Sequence, residues 1–127
     1  MRYRFLLKIY FLLFFLSIKS FANDFNDNFF HCNQIPEGNP FGLIFNNNMV
    51  TQIGVENLSK VQDYSEPYSI INQGFKWLNV TLILKNLTLH IGNQKNNFAR
   101  CQKVKTILEL NELLENFINS EKNKRTI

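Results

Sequence analysis

Apolar and polar residues alternate with a period of two over much of the chain, which predicts short β-strands with one buried face. The alternation is clearest in residues 80–91, where two apolar runs meet with a shift of phase. These apolar residues are Val80, Leu82 and Leu84 in the first run, and Leu87, Leu89 and Ile91 in the second. A two-residue turn at Lys85-Asn86 would pair 84 with 87, 82 with 89 and 80 with 91, all on one face. The pattern therefore predicts a tight antiparallel hairpin.

Short apolar segments bounded by turn-forming residues predict the rest of a β-sheet. Residues 42–45 and 49–55 flank the asparagines at 46–48. Because asparagine tolerates left-handed backbone, these two segments are expected to form a second hairpin. Further strands are expected at residues 29–34, 68–71, 75–78 and 98–103. The predicted fold is mainly β, a small antiparallel β-barrel or sandwich of about six or seven strands.

Residues 57–67 are polar and end in a proline, so we expect a loop there, with a short edge piece near Val61. Two aromatic residues lie close to that proline, one on each side of it. If they are exposed, Tyr64, Glu66 and Tyr68 are expected to form a binding loop. The alternative is that both tyrosines pack in the core, where most of the chain's many aromatic residues are expected to lie.

The period changes from two to that of a helix after residue 105. Thr106 is followed three positions later by Glu109, which has the form of a capping box. The apolar stripe that follows consists of Ile107, Leu110, Leu113, Leu114, Phe117 and Ile118. It predicts an amphipathic C-terminal α-helix over residues 107–119, frayed after Ser120. The helix is expected either to dock on the sheet or to bind a partner, and its acidic polar face disfavours anionic lipid.

The longest apolar run, residues 9–18, lies near the start of the chain and is dominated by Phe and Leu. Cationic residues precede it, and small residues occupy the −3 and −1 positions of a cleavage site after Ala22. These features predict a cleaved secretory signal peptide at residues 1–22. The run is about half of the roughly 20 residues that a membrane-spanning helix needs. Lys19, at the end of the run, leaves an uncleaved anchor as the alternative, and we expect no membrane span after cleavage.

The leader changes the interpretation of the net charge. The full chain has 14 Lys and Arg against 10 Asp and Glu, a formal charge of +4 that on its own suggests nucleic-acid binding. Four of the cationic residues lie in the leader, whereas all ten acidic residues follow it, so the mature chain is neutral. A neutral chain has no long-range field to attract phosphate, and we expect no nucleic-acid partner.

Two cysteines, Cys32 and Cys101, lie near the start and near the end of the strand-rich region. Cysteines so placed in an exported chain usually pair, so we expect a disulfide. The alternative is a metal site that also includes His31 and His90. No two of these four residues have the close spacing that makes a zinc site convincing, and the haem motif Cys-x-x-Cys-His is absent. The sequence therefore predicts no metal and no cofactor.

Residues suited to catalysis are few. Only two histidines are available as bases, and neither lies in a context such as Gly-x-Ser-x-Gly. The carboxylates considered for paired acid–base chemistry, Glu37, Glu56, Asp63 and Glu66, are expected in loops or at strand ends. The five glycines form no phosphate-binding cluster. We therefore expect a protein that is not an enzyme.

The chain thus divides into a signal peptide (1–22), an antiparallel β domain (23–105) and a C-terminal helix with a charged tail (106–127). An exported antiparallel domain with a cysteine on its first and last strands is similar in outline to the small periplasmic β-barrel inhibitors of lysozyme. Their inhibitory loop is rich in Ser and Gly, whereas residues 62–68 contain no glycine. The similarity is one of architecture, and no residue's role follows from it.

From this outline we expect a non-enzymatic binding or inhibitor module of the periplasm or extracellular space. Its partner would be a protein or a small ligand in the cell envelope. The alternative is a structural or assembly accessory protein that binds a partner through its C-terminal helix.

Overall fold

The computed structural model describes residues 28–92 and 96–125, so the predicted signal peptide lies outside the described residues. These residues form nine strands and one helix. The strands are β1 (Asn28–Gln34), β2 (Phe41–Asn46), β3 (Met49–Glu56), β4 (Ser59–Pro67), β5 (Ser69–Ile71), β6 (Gly74–Trp77), β7 (Val80–Ile83), β8 (Thr88–Ile91) and β9 (Ala99–Val104). The helix, α1, spans Ile107–Arg125.

The strands form one antiparallel sheet in the order β4-β3-β2-β1-β9-β8-β7-β6-β5. Strands β1 to β4 therefore form one meander and β5 to β9 another, and the two meanders are joined by pairing of β1 with β9. The ends of the order, β4 and β5, are consecutive in the chain and separated only by Tyr68. The sheet curls into a nearly closed barrel. The predicted fold class is confirmed, with nine strands instead of six or seven.

The expected hairpin of residues 80–91 is present, with Val80 opposite Ile91 and Leu82 opposite Leu89. Its turn is longer than expected, because the ladder ends at the pair Ile83 and Thr88, and residues 84–87 form the turn. Leu87 adopts a left-handed backbone with φ of 55°. The register was therefore predicted correctly and the two-residue turn was not.

The loop expected at residues 57–67 is wrong, because most of this segment is β4, the longest strand. It pairs with β3 from Ser59 opposite Glu56 to Pro67 opposite Met49. Its side chains are mostly exposed, so it lacks the alternation that reveals a half-buried strand. The turn before it is also unusual, since Asn57 and Leu58 have φ of 52° and 63°, as a type I′ hairpin turn requires.

The interior of the barrel is packed with aromatic and aliphatic side chains centred on Phe45. Its ring lies 4.8 Å from that of Phe75, 5.5 Å from that of Trp77 and 5.7 Å from that of Phe30, measured between centroids. These residues come from β1, β2 and β6, so the cluster joins both meanders. Each ring buries a large apolar area, which makes this cluster the main source of hydrophobic stabilisation inside the barrel.

Cys32 and Cys101 form the expected disulfide, and they lie directly opposite each other on β1 and β9. The bond joins positions 69 residues apart. In the chain-entropy description, a link across a loop of this length stabilises the folded state by about 4 kcal/mol. Disulfides of this structural kind form in oxidising compartments, so the bond indicates that the chain folds in one.

Helix α1 packs on the outer face of the barrel, over β1, β2 and β9. Its buried residues Leu110, Leu114 and Ile118 cluster with Val55 and Val104. The approach is close: a Cβ added at Gly42 would lie 2.9 Å from a methyl group of Leu110. The helix thus covers the sheet with the apolar stripe that the sequence shows, and it continues past residue 119 to Arg125. No helix among the described residues is long and apolar enough to cross a membrane.

Polar contacts support the docked helix at its start and near its middle. The backbone N–H of Glu109 donates to the hydroxyl of Thr106 at 3.1 Å, and that of Lys105 donates to the Glu109 carboxylate at 3.0 Å. This is the start of the helix that the capping pattern predicts. Lys60 on β4 forms an ion pair with Glu115 at 2.8 Å, which ties the exposed strand to the helix.

We expect Leu114→Ala to lower the free energy of unfolding by about 2–5 kcal/mol, because it leaves a cavity between helix and barrel. Leu108→Ala is the matched control, since Leu108 is 66% exposed whereas Leu114 is fully buried. The control should change stability by at most about 0.5 kcal/mol. Urea unfolding of both variants measures the difference, and equal values would show that the helix is not part of the core.

Candidate functional site at the mouth of the barrel

The three residues expected to form a binding loop lie in or directly after strand β4. The rings of Tyr68 and Phe45 are 5.1 Å apart, and those of Tyr68 and Phe75 are 5.4 Å apart. Tyr64 also packs against the buried cluster inside the barrel. Glu66 is half-buried opposite Val50. The prediction of a loop is thus wrong for this segment. The two tyrosines pack in part against the core.

A β-bulge in β4 creates an arrangement that the sequence pattern did not reveal. Gln52 lies opposite Tyr64, whereas the next residue of β3, Ile53, lies opposite Gln62. Asp63 is therefore the extra residue, and a bulge of this kind redirects side chains. As a result, both Asp63 and Tyr64 reach the side chain of Gln52.

A chain of three hydrogen bonds runs through the bulge. The indole Nε1 of Trp77 donates to the Tyr64 hydroxyl at 2.8 Å, and that hydroxyl donates to Oε1 of Gln52 at 2.8 Å. Nε2 of Gln52 then donates to Oδ2 of Asp63 at 2.9 Å. The chain leads from the buried interior to an exposed carboxylate. It also links β6 to β4, two strands that are not paired by backbone hydrogen bonds.

Burial raises the pKa of Tyr64, because the phenolate form is disfavoured away from water. The hydrogen bond from Trp77 opposes this shift, and the negative charges of Asp63 and Glu66 add to it. The hydroxyl therefore stays protonated at neutral pH, and it can accept from the indole while donating to Gln52. Every hydrogen bond in this series therefore donates in the direction of the Asp63 carboxylate.

The carboxylate of Asp63 lies close to Gly54 on β3. A Cβ at Gly54 would come within 2.5 Å of Oδ2 of Asp63. The missing side chain at Gly54 thus leaves room for this carboxylate, and the hydrogen bond from Gln52 orients it. An oriented charged group is better prepared to bind a ligand than a freely rotating one.

A polar recess of about 240 Å³ opens beside this carboxylate, at the end of the barrel where β1 ends and β2 begins. We call it the mouth recess, and its polar side chains are Gln34, Asn39, Gln52, Glu56 and Asp63. Nε2 of Gln34 donates to the backbone oxygen of Asn39, and Nδ2 of Asn39 donates to that of Val55, both at 3.0 Å. Barrel mouths are common positions for binding sites.

A second concavity of about 480 Å³ lies at the opposite end of the barrel, beside the β5–β6 turn. Its side chains include Ile70 and Leu84, both exposed, and its surface is mainly apolar. It contains no pair of polar side chains linked by a hydrogen bond among those described. It is therefore a concave apolar surface without an oriented polar group. The mouth recess is the better candidate site.

The two histidines are far from forming a catalytic or metal centre. His31 lies on β1 facing outward, and its Nδ1 has no hydrogen-bond partner among the described residues. His90 lies on β8, with Nε2 3.1 Å from the hydroxyl of Thr88. Since both cysteines are in the disulfide, the alternative of a site with two Cys and two His is wrong. No three His, Cys, Asp or Glu in the described part of the chain are placed to hold a metal ion.

Comparisons with protein families, with curated protein sequences and with solved structures find no match to this chain. Interpretation of the site therefore depends on its own geometry.

We expect Tyr64→Phe to destabilise the fold by about 1–3 kcal/mol, because it leaves the buried indole N–H of Trp77 without an acceptor. Ser65→Ala is the control, since this neighbouring hydroxyl contacts only Thr51 on the exposed side of the same strands. Chemical unfolding followed by the fluorescence of Trp77, the only tryptophan, measures both variants. A loss of stability as small as in the control would show that the hydrogen-bond chain contributes nothing.

Burial lowers the pKa of His31 below its ordinary value of 6.5. Below pH 6.5 the unfolded chain therefore binds a proton that the folded chain resists, and folding stability falls as the pH drops. We expect wild type to lose more stability than His31→Gln between pH 7.5 and pH 5. Urea unfolding at the two pH values measures the losses, and an equal loss in wild type and His31→Gln would contradict the prediction.

Proposed function

We propose that this chain is a non-enzymatic binding or inhibitor module of the periplasm or extracellular space, and that the mouth recess is its binding site. The observation that carries the proposal is the set of polar side chains that line the mouth recess. The amides of Gln34, Asn39 and Gln52 are oriented by hydrogen bonds, and Asp63 remains exposed beside them. Polar groups fixed at a concave surface are typical of binding sites.

The proposed compartment follows from two features. The disulfide indicates an oxidising environment. The leader at residues 1–22 has the three parts of a secretory signal. Together they favour export to the periplasm or beyond the cell.

The contacts of the possible nucleophiles and bases support a role without catalysis. The contact between Thr88 and His90 resembles a hydroxyl beside a base, but Thr88 is only 5% exposed, so a substrate has no access to it. The Thr88 hydroxyl also lies 2.6 Å from the side-chain oxygen of Asn86. Such a threonine serves the structure of the turn.

The alternative, an assembly accessory that binds through the helix, has less surface available to it. Leu110, Leu114 and Ile118 are buried against the barrel, and the exposed apolar residues at the start of the helix are Ile107 and Leu108. A partner-binding helix generally presents anchors on several successive turns. We therefore favour the mouth recess over the helix.

The test is capture of envelope proteins by purified protein from cells that produce the full chain with its leader. We expect a partner to bind wild type and Leu108→Ala, and to bind Asp63→Asn several-fold less, as measured by quantitative mass spectrometry. Glu121→Gln, which removes the charge of a helix carboxylate paired with Lys124 at 3.2 Å, is the charge control. If the partner is lost with Leu108→Ala and retained with Asp63→Asn, the helix is favoured instead. If wild type captures no envelope protein, the proposal of a protein-binding module is rejected.

A further inference from the structure

The polar side chains of the mouth recess offer mainly acceptors to a ligand. The amide nitrogens of Gln34, Asn39 and Gln52 each donate to a protein oxygen. Each bond fixes the plane of its amide and turns the side-chain oxygen away from that bond. In the described part of the chain, no donor reaches the side-chain oxygens of Gln34 and Asn39. The recess therefore presents these oxygens together with carboxylates.

The charge of the recess has the same sign throughout. Glu56 and Asp63 both line it, and none of the described lining residues is Lys, Arg or His. The recess is thus a local negative site on a mature chain whose net charge is zero. A short-range interaction with a cation is favoured here, whereas long-range attraction of charged partners is not.

The size of the recess limits the ligand. Its volume of about 240 Å³ is smaller than the roughly 300–1,000 Å³ of common small-molecule sites. It has room for the end of one side chain, while the remainder of the ligand would stay outside the barrel. A protein or peptide that inserts one residue fits this shape better than a whole metabolite does.

We propose that the mouth recess binds the guanidinium group of an arginine side chain presented by a protein partner. This inference rests on the proposed function and names its ligand. Guanidinium is planar and has five N–H donors, so it can bond a carboxylate with two parallel bonds and reach further acceptors at its other edge. Lysine has a compact ammonium group and cannot span acceptors that are spread over several strands.

The carboxylate of Asp63 is the centre of this site. It is oriented by the hydrogen bond from Gln52, and the missing side chain at Gly54 leaves room beside it. Glu56, at the end of β3, adds a second charge at the rim. Because both carboxylates are exposed to water, a lone guanidinium is expected to bind weakly, and other contacts with the partner would supply the remaining affinity.

The test is an NMR titration of the isotope-labelled protein with Nα-acetyl-L-arginine amide. We expect saturable shifts of the side-chain amide signals of Gln34, Asn39 and Gln52, with Kd on the order of millimolar. The citrulline counterpart has the same shape without the charge and should bind at least about tenfold more weakly, since charge-assisted hydrogen bonds are the stronger kind. The lysine counterpart should also bind more weakly than arginine.

Two variants and one control locate the site. Asp63→Asn and Glu56→Gln should each weaken arginine binding by about threefold or more. The second of these lies outside the hydrogen-bond chain through Trp77, so it remains informative if the first disturbs folding. Glu121→Gln should leave the Kd unchanged.

Equal binding of the citrulline compound, tighter binding of the lysine compound, or a Kd unaffected by both variants would overturn the guanidinium site. The proposed function fails separately. If envelope partners still depend on Asp63 while the arginine compound does not bind, the binding module stands and the arginine ligand is wrong.

Discussion

Pairing of the first strand with the last, fixed by the Cys32–Cys101 disulfide, is the contact on which the remaining structure depends. Each meander is built from neighbouring segments, and β1–β9 is the place where distant parts of the chain join. Closing so long a loop is slow and entropically costly, and the covalent link lowers that cost by restricting the unfolded chain. The helix follows β9 after a short connection, so this pairing also sets where the helix begins.

The two places where the meanders meet are held by different forces. At β1–β9 there are backbone hydrogen bonds, a disulfide and a covering helix. At the other junction, β4 and β5 are joined by the chain itself, and β4 is linked to β6 by the hydrogen bond between Tyr64 and Trp77. Side chains must therefore align the strands there. The bulge at Asp63 lies at this junction, and Asp63 also lines the mouth recess.

Local patterns predicted those parts of the fold whose stability depends on one buried face. The register of residues 80–91 and the stripe of the helix are examples, because burial and periodicity coincide there. The turn expected at residues 46–48 is present as well, with left-handed backbone at Asn47 and Asn48. The disulfide was predictable from compartment and spacing. Strand β4 was not, since its backbone bonds to β3 require no apolar side chains.

The candidate site was only partly accessible to sequence reasoning. Tyr64 was singled out for its aromatic ring, yet its contribution is a hydroxyl between Trp77 and Gln52. Asp63 appeared as one of several loop carboxylates, because a bulge depends on the register between two strands and leaves no periodic mark. Gln34 ends a predicted strand and Asn39 lies among turn-forming residues, and neither position by itself indicates a site. Only folding brings these side chains together at the mouth recess.

The recess lies between a strongly and a weakly stabilised part of the barrel, because its lining includes the end of β1, the start of β2 and Asp63 of β4. The disulfide and the helix stabilise the side where β1, β2 and β9 meet, whereas β4 is mostly exposed and pairs on one edge only. Regions with fewer buried contacts open more easily, and binding surfaces are commonly drawn from them. Strand β4 also touches both surfaces, through Lys60 at the helix and Asp63 at the mouth. A partner seated at Asp63 would therefore act on the junction that depends most on side chains, while the cross-linked side keeps the barrel folded.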